Sequence, residues 1–359
     1  MRIFIFGAKS VAIGVHRAIK RLYPEKQMLG FLVSSLKNNP DKLEGIPVRE
    51  ICTVSIEFSE AEKENICVYV ATPEIVHKQI IEILKSHKFV NYKLVDSRTE
   101  ANLMERYFEK LGRFPSLHWL SQGKEKANLS VYSAQFYKDK KLENPPQFSD
   151  YVHSILLGCA NNSDKELEKS VDFCDNTGDH ISMKNPDYCE ITAFYWVWKN
   201  RIWKERDYVG IYHYRRMLDV TEEDRKKLKD NQVDVILPFP MIHLPDIREH
   251  HRRYVNEEEW QTMLIALQEL YPAYAKAYED IFSQEYFYNY NMLIAKKEVF
   301  ADYCAWLFPL LFRTEELILS EKVKKTGRYN AYMSESLLTL YFLYHKELNI
   351  YHTGRLVFT

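Results

Sequence analysis

The chain has no charge surplus of either sign: 49 lysines and arginines stand against 50 aspartates and glutamates, a formal net charge of -1. Affinity for a phosphate backbone draws on a basic excess, so no nucleic-acid partner is expected. Cysteine is sparse and scattered. Cys52, Cys67, Cys159, Cys174, Cys189 and Cys304 contain no Cys-x-x-Cys pair, which excludes a zinc-finger spacing, argues against a disulfide framework and fits a reducing cytoplasm. No run of about 18 or more apolar residues occurs, so no segment is expected to span a bilayer. The opening MRIFIFGAKS enters a strand pattern directly, without the apolar region and small-residue cleavage site of a secretory leader. A cytoplasmic protein is expected, with peripheral contact at the inner face of the cell membrane open to it. Internal repeats and low-complexity tracts are absent as well.

At 359 residues, 46% of them hydrophobic, the chain can build a sizeable core in each of two domains. Aromatic residues are plentiful: 25 tyrosines and 14% aromatics overall. They suit either an aromatic core or flat platforms for sugars and bases. Up to residue 111, strands alternate with helices. RIFIF at 2–6, a strand near 28–34, an apolar run at 66–71 and another at 92–95 are separated by helical stretches at 10–23 and 74–87. That alternation predicts a Rossmann-like domain with a parallel sheet. Its glycine fingerprint is broken, however. Gly7-Ala8-Lys9-Ser10-Val11-Ala12 puts Lys9 where a second glycine lets a pyrophosphate approach, and Ser34-Ser35 replaces the acid that holds a ribose. The polar SQGKEKAN at 121–128 reads as a linker, placing the domains at 1–120 and 121–359.

In the second part, a strand is expected from Leu129. Asn185-Pro186-Asp187 opens a helix to about Lys199, and strands follow at 207–212, 233–237 and 292–295. A further helix starts near Glu298, with Pro309 as a kink, and another runs over 331–344. The segment 244–254, with Pro245 and several charges, reads as a loop or lid. Five stretches resemble a bacterial glycosyltransferase family catalogued as DUF4422, found in capsule and O-antigen clusters. They are DNTGDHISMKNPDYCEITAFYWVWKN (175–200), DYVGIYHYRR (207–216), DVILP (234–238), YNMLIAKKEVFADYCAWLFPLLF (290–312) and GRYNAYMSESLL (327–338). The N-terminal part is similar to Rossmann-like domains attached to sugar acyltransferases. Together these imply an α/β protein, an N-terminal Rossmann-like parallel-sheet domain followed by a GT-A-like nucleotide-sugar transferase domain.

That resemblance directs the reading of individual residues. Where many GT-A strands end in a metal-holding Asp-x-Asp, this one delivers His213-Tyr214-Arg215-Arg216. Arg215 and Arg216 would hold the donor diphosphate in bidentate fashion, with His213 donating to the same group; the alternative is a strand end with solvated arginines. Asp175, Asp179 and His180 lie in a turn-rich run that is either a plain polar loop or a wall of the donor pocket. Lys138 and Asp139 follow the first strand of this part, near the expected base-binding region. Tyr290 and Asn291 precede a strand and would hydrogen-bond a sugar or form a capped turn. Glu335 is the expected acceptor base, or else a structural partner of an arginine. Glu190, on the helix that follows the 175–180 run, is readable equally as part of that donor pocket or as a buried structural acid. The Trp196, Trp198, Trp203 group and the Tyr303, Trp306, Phe308 group read as core ahead of platform. Arg248, His250, His251, Arg252 and Arg253 form a basic cluster, either a solvated face or a contact for a lipid diphosphate.

The donor expected on these grounds is a UDP-linked hexose, galactose foremost. The acceptor is a glycan or polyprenyl-diphosphate-linked precursor of a surface polysaccharide. No residue set for a metal ion is assigned, though Mn or Mg remains compatible. An NAD-dependent sugar oxidoreductase and a non-catalytic sugar-nucleotide-binding scaffold are the competing classes.

Overall fold

A computed structural model describes residues 1–162 and 164–359. The chain forms two compact units. The first comprises Met1–Pro115 with Gly354–Val357 and Thr359, the second Ser116–Thr353 with Phe358.

The first unit is built on a six-stranded sheet. Its strands run in the order Lys42–Leu43, Ile46–Glu50, Gln27–Val33, Arg2–Phe6, Ile66–Val70 and Tyr92–Leu94. All pairs are parallel except the Lys42–Leu43 edge, which is antiparallel. Four of the five residues of Arg2–Phe6 and all five of Ile66–Val70 are buried, as expected of central strands covered on both faces. Helix ends follow local chemistry. Asp96 caps Ser97–Leu111 by accepting from Thr99 N at 2.8 Å, and Gly112 closes that helix at φ +61°. Gly7 sits at φ +130°, and a Cβ there would lie 2.4 Å from Ala71 O. The turn after the first strand therefore admits only glycine. Lys9, at the second-glycine position of a dinucleotide fingerprint, ties its ammonium to Asn38 O at 2.5 Å.

The second unit holds a mixed sheet ordered Ile350–Thr353, Val235–Pro238, Leu293–Lys296, Tyr208–His213, Leu129–Phe136, Val152–Leu157 and Phe173–Cys174. The last four run parallel, and Leu293–Lys296 is antiparallel to both its neighbours. Gly210 lets the central strands close up, since a Cβ there would meet Leu293 O at 2.6 Å. The strand Val152–Leu157 has no counterpart in the sequence reading. Residues 121–128 do not form a free linker. Gly123 N donates to Lys226 O, Lys124 N to Asp230 Oδ2, and Ala127 is fully buried in this unit's core. The unit boundary accordingly falls at 115/116.

Helices Ile191–Asn200, Glu257–Leu270, Pro272–Phe282, Lys297–Ser320 and Tyr329–Tyr344 pack beside this sheet. Lys297–Ser320 runs as one helix with Pro309 inside it. The aromatic groups form core: Trp198 stacks on Phe308 at 5.5 Å, Phe194 on Phe300 at 5.8 Å, and Trp196, Trp203, Tyr303 and Trp306 are buried. Among the described residues, no helix is long and apolar enough to cross a membrane. Gly7→Ala is expected to destabilise the first unit by more than about 1 kcal/mol, because alanine is strained at positive φ. A urea melt should show a lowered midpoint, and an unchanged one would refute the close approach.

Candidate active site

Tyr208–His213 and Leu129–Phe136 lie side by side and parallel, and their carboxyl ends open into a cavity of about 510 Å³. In a parallel α/β sheet this edge is where ligands bind. Past the strand the chain turns tightly: Tyr214 N donates to Ala134 O at 2.9 Å, and Arg216 pairs back against His213. The turn brings Arg215 and Arg216 to the cavity wall together. The Arg216 guanidinium lies 4.3 Å over the Tyr290 ring, and the buried Arg215 Nε has no hydrogen-bond partner among the described residues.

A break in a helix supplies the opposite wall. The sequence predicts one continuous helix over 187–199. Instead a short helix, Asn185–Tyr188, stops at Cys189, and a second begins at Ile191. Cys189 adopts φ +46°, and Asn185 Nδ2 holds its carbonyl at 3.1 Å. Such backbone costs on the order of 1–3 kcal/mol for a non-glycine residue and concentrates at functional sites. Here it turns Glu190 toward the cavity, where its Oε1 accepts from Asn291 Nδ2 at 2.7 Å and lies 3.9 Å from His213 Nε2.

The floor is equally constrained. Tyr290 and Asn291 carry consecutive positive φ values of +78° and +40°. His213 Nε2 donates to Tyr290 O at 2.7 Å, and the Tyr290 amide donates to Glu335. Burial, and then the neighbouring Glu190 carboxylate, lift the Glu335 pKa to about 8, while that amide and Arg216 oppose the rise. Burial also lowers the His213 pKa, keeping the ring neutral. At the mouth, Asp139 accepts from Phe136 N at 2.8 Å. Partial burial raises its pKa, opposed by that bond and by the charges of Arg215 and Arg328. Tyr254 and Tyr332 stack at 4.5 Å on the rim.

Arg215, Arg216, Asp139, His213, Tyr290 and Glu335 are thus brought to one cavity. Several other expectations need correction. Asp175 is no donor ligand: it is fully buried and accepts from Gly158 N, Cys159 N, Ser182 Oγ and Thr192 Oγ1 at 2.5–3.1 Å. Asp179 accepts from Tyr195 OH at 3.1 Å and its backbone is held by Asn200, while His180 Nδ1 accepts from Ser182 N. None of the three lines the cavity. Lys138 is exposed beside the Tyr137 ring and also lies outside it. Asn291 is fully buried, with its amide committed to Glu190 and to Ala331 O, so it positions the wall and does not meet a sugar. His213 likewise spends its Nε2 proton on Tyr290 O. Sequence reading passed over Arg328, whose φ of +65° starts the Tyr329–Tyr344 helix, and the rim tyrosines. Among the described residues, no three His, Cys, Asp or Glu side chains converge to hold a metal ion.

Asp175→Ala should lower stability by roughly 3 kcal/mol or more, because each orphaned buried donor costs about 1–3 kcal/mol before relaxation. Asp179→Ala should stay within about 1 kcal/mol of the parent. Denaturant melts of the two variants decide between hub and surface roles. Glu335 binds its proton more tightly folded than unfolded, so stability is expected to fall as pH rises from about 4.5 to about 8. Melting temperatures of Glu335→Gln across that window should show a shallower fall. An identical slope in the variant would contradict the burial of this carboxyl.

Residues 138–347 match a family described as a domain of unknown function, DUF4422. No protein of curated function matches the chain. Among solved structures, the apo form of WbbM, described as a bifunctional glycosyltransferase, is similar at a TM-score of 0.53 and 24% identity. The alignment covers 64% of this chain and 45% of WbbM, so the chain spans less than half of that relative's length. An engineered D-amino acid dehydrogenase bound to NADP+ aligns at a TM-score of 0.21 and 11% identity, over 36% of this chain and 35% of its own. That value carries no structural argument. The WbbM likeness shows a shared mixed α/β fold with mainly parallel sheets. The DUF4422 match spans more than half of the chain and takes in the arginine turn, Glu190 and Glu335, and the chain belongs to that family.

Proposed function

We propose that the second unit is a glycosyltransferase that takes a sugar from a nucleoside diphosphate donor bound in the 510 Å³ cavity. One observation carries the reading: guanidinium groups and a proton-accepting carboxyl pair meet at the carboxyl edge of a parallel sheet. The fold shared with WbbM adds support, as does membership of DUF4422. Arg215 and Arg328 would hold the diphosphate at the mouth, where negative charge grows as the bond to the anomeric carbon breaks. The stacked Tyr254 and Tyr332 offer a flat face for the sugar or base. As the acceptor oxygen bonds to the anomeric carbon, Glu335 takes its proton. A carboxyl with pKa about 8 is a far stronger base than a solvated one, at the expense of being mostly protonated at neutral pH. His213 and Asn291 hold Tyr290 and Glu190 in place.

In this reading the leaving charge is met by arginines, and no step is assigned to a cation. The finer proposals are a UDP-linked hexose, galactose first, and a glycan or polyprenyl-diphosphate-linked acceptor in surface polysaccharide synthesis. A thermal-shift screen against UDP-, GDP- and other nucleotide sugars tests the donor. Stabilisation by one of them, lost in Arg215→Ala, is expected; a response to NAD(P) alone would overturn the reading. With the donor in hand, Glu335→Gln should keep donor binding and lose about 100-fold or more in kcat. For the parent, kcat/KM should climb with pH toward a plateau above about 8. A profile flat from pH 6 to 9 assigns the base elsewhere.

A further inference from the structure

The helix Glu257–Leu270 opens on a capping box. Asn256 Oδ1 accepts from Glu259 N at 2.8 Å, and Glu259 Oε2 accepts from Asn256 N at 3.0 Å. A capping box needs no more than these two bonds. Here both side chains spend their remaining polar atoms on one segment far along the chain. Asn256 Nδ2 donates to Lys324 O at 2.7 Å. Glu259 Oε1 accepts from Thr326 N at 2.5 Å, and its Oε2 accepts from Thr326 Oγ1 at 2.7 Å as well. Glu259 is fully buried, so these bonds to a carboxylate are made away from solvent, where they hold a chain most firmly.

Two residues beyond Thr326 the segment reaches Arg328, on the wall of the donor cavity. Residues 323–326 are neither helix nor strand, and Arg328 is exposed, with φ at +65°. A non-glycine residue at positive φ relaxes unless its surroundings hold it. On one side the hold is burial, since Tyr329 and Asn330 are both fully buried. On the other side it is the set of bonds at 324–326. A further side-chain tie, Lys325 Nζ to Asp187 Oδ2 at 3.0 Å, joins partly exposed groups and contributes little by comparison. Glu259 does not line the cavity. It therefore acts on the site through Thr326 and the backbone that leads to Arg328.

We propose that Glu259 is a positioning residue for the donor site, holding Arg328 at the cavity mouth through its bonds to Thr326. This rests on the reading of that cavity as the seat of a nucleoside diphosphate. UDP and GDP, titrated calorimetrically into the full-length protein, are the probes, and the tighter of the two is carried through the variants. Arg328→Ala should weaken binding about tenfold, the loss of one charge-assisted contact. Loosening the segment lowers only the share of molecules with Arg328 in place, so its cost cannot exceed that of removing Arg328. Glu259→Gln keeps one accepting oxygen but turns an NH2 toward backbone donors. It should weaken binding about fivefold in the parent, yet change it by less than about twofold when Arg328 is already alanine. Thr326→Val leaves the capping box intact and removes one bond to Glu259. It should weaken binding about threefold with the melting temperature unchanged, and again only while Arg328 is present. Should Glu259→Gln fail to fold, the Thr326→Val comparison decides. Equal losses with and without Arg328, the mark of a merely structural role, would overturn the proposal, as would parent-like binding by Thr326→Val. A parent that binds neither nucleotide overturns the donor reading and this proposal with it, whereas a parent that binds one but shows additive losses overturns this proposal alone.

Discussion

The side-chain amide of Asn291 joins three segments distant in sequence. It donates at 2.7 Å to Glu190, on the helix break, and at 3.0 Å to Ala331 O, on the helix that carries Glu335. Its own backbone, with that of Tyr290, lies at positive φ, and His213 fixes the Tyr290 carbonyl from the neighbouring strand. Two strained residues cost on the order of 1–3 kcal/mol each. A hydrogen bond to a charged group returns about 1.5–3 kcal/mol. The sums are of one size, so the floor of the cavity holds its shape only while the whole set of bonds is made. Loss of one member releases Glu190, the Tyr290 amide and the environment of Glu335 together.

Much of the framework was legible from residue pattern alone. The runs RIFIF and ICVYV announce central parallel strands because burial on both faces demands unbroken apolar sequence. The HYRR turn and Glu335 were legible as site candidates, and the structure gathers them into one cavity. What escaped reading depended on three-dimensional partners. Residues 185–199 carry helical periodicity throughout, and nothing local signals that Asn185 will hold the Cys189 carbonyl and break the helix. The sequence therefore places Glu190 inside a continuous helix, and the break that turns it to the cavity is not legible there. The turn-rich run 175–180 has the composition of a solvent loop, yet Asp175 is a buried hub with four donors. Burial of a single acid within a polar run leaves no trace in composition. The polar segment 121–128 misled in the same way, since its bonds to Lys226 and Asp230 lie about a hundred residues along the chain.

Aromatic abundance divides into two uses. Most rings, such as the Trp198–Phe308 stack, fill the space between helices and sheet and tie Lys297–Ser320 to Ile191–Asn200. The Tyr254–Tyr332 pair differs in leaving ring surface open on a rim. Tyr254 is 44% exposed, high for so large a ring in an ordered stack. Position within the fold, and not residue type, separates a packing aromatic from one able to receive a ligand.

Burial, and then the nearby Glu190, leave Glu335 holding a proton near neutral pH. Any anion drawn in by the arginines would tighten that hold, since added negative charge favours the protonated carboxyl. Anion entry is then accompanied by proton uptake from solvent. The heat released on binding would depend on which buffer gives up that proton, and affinity would decline with alkalinity even though every arginine keeps its charge. The same pocket thus counts protons as well as ligands.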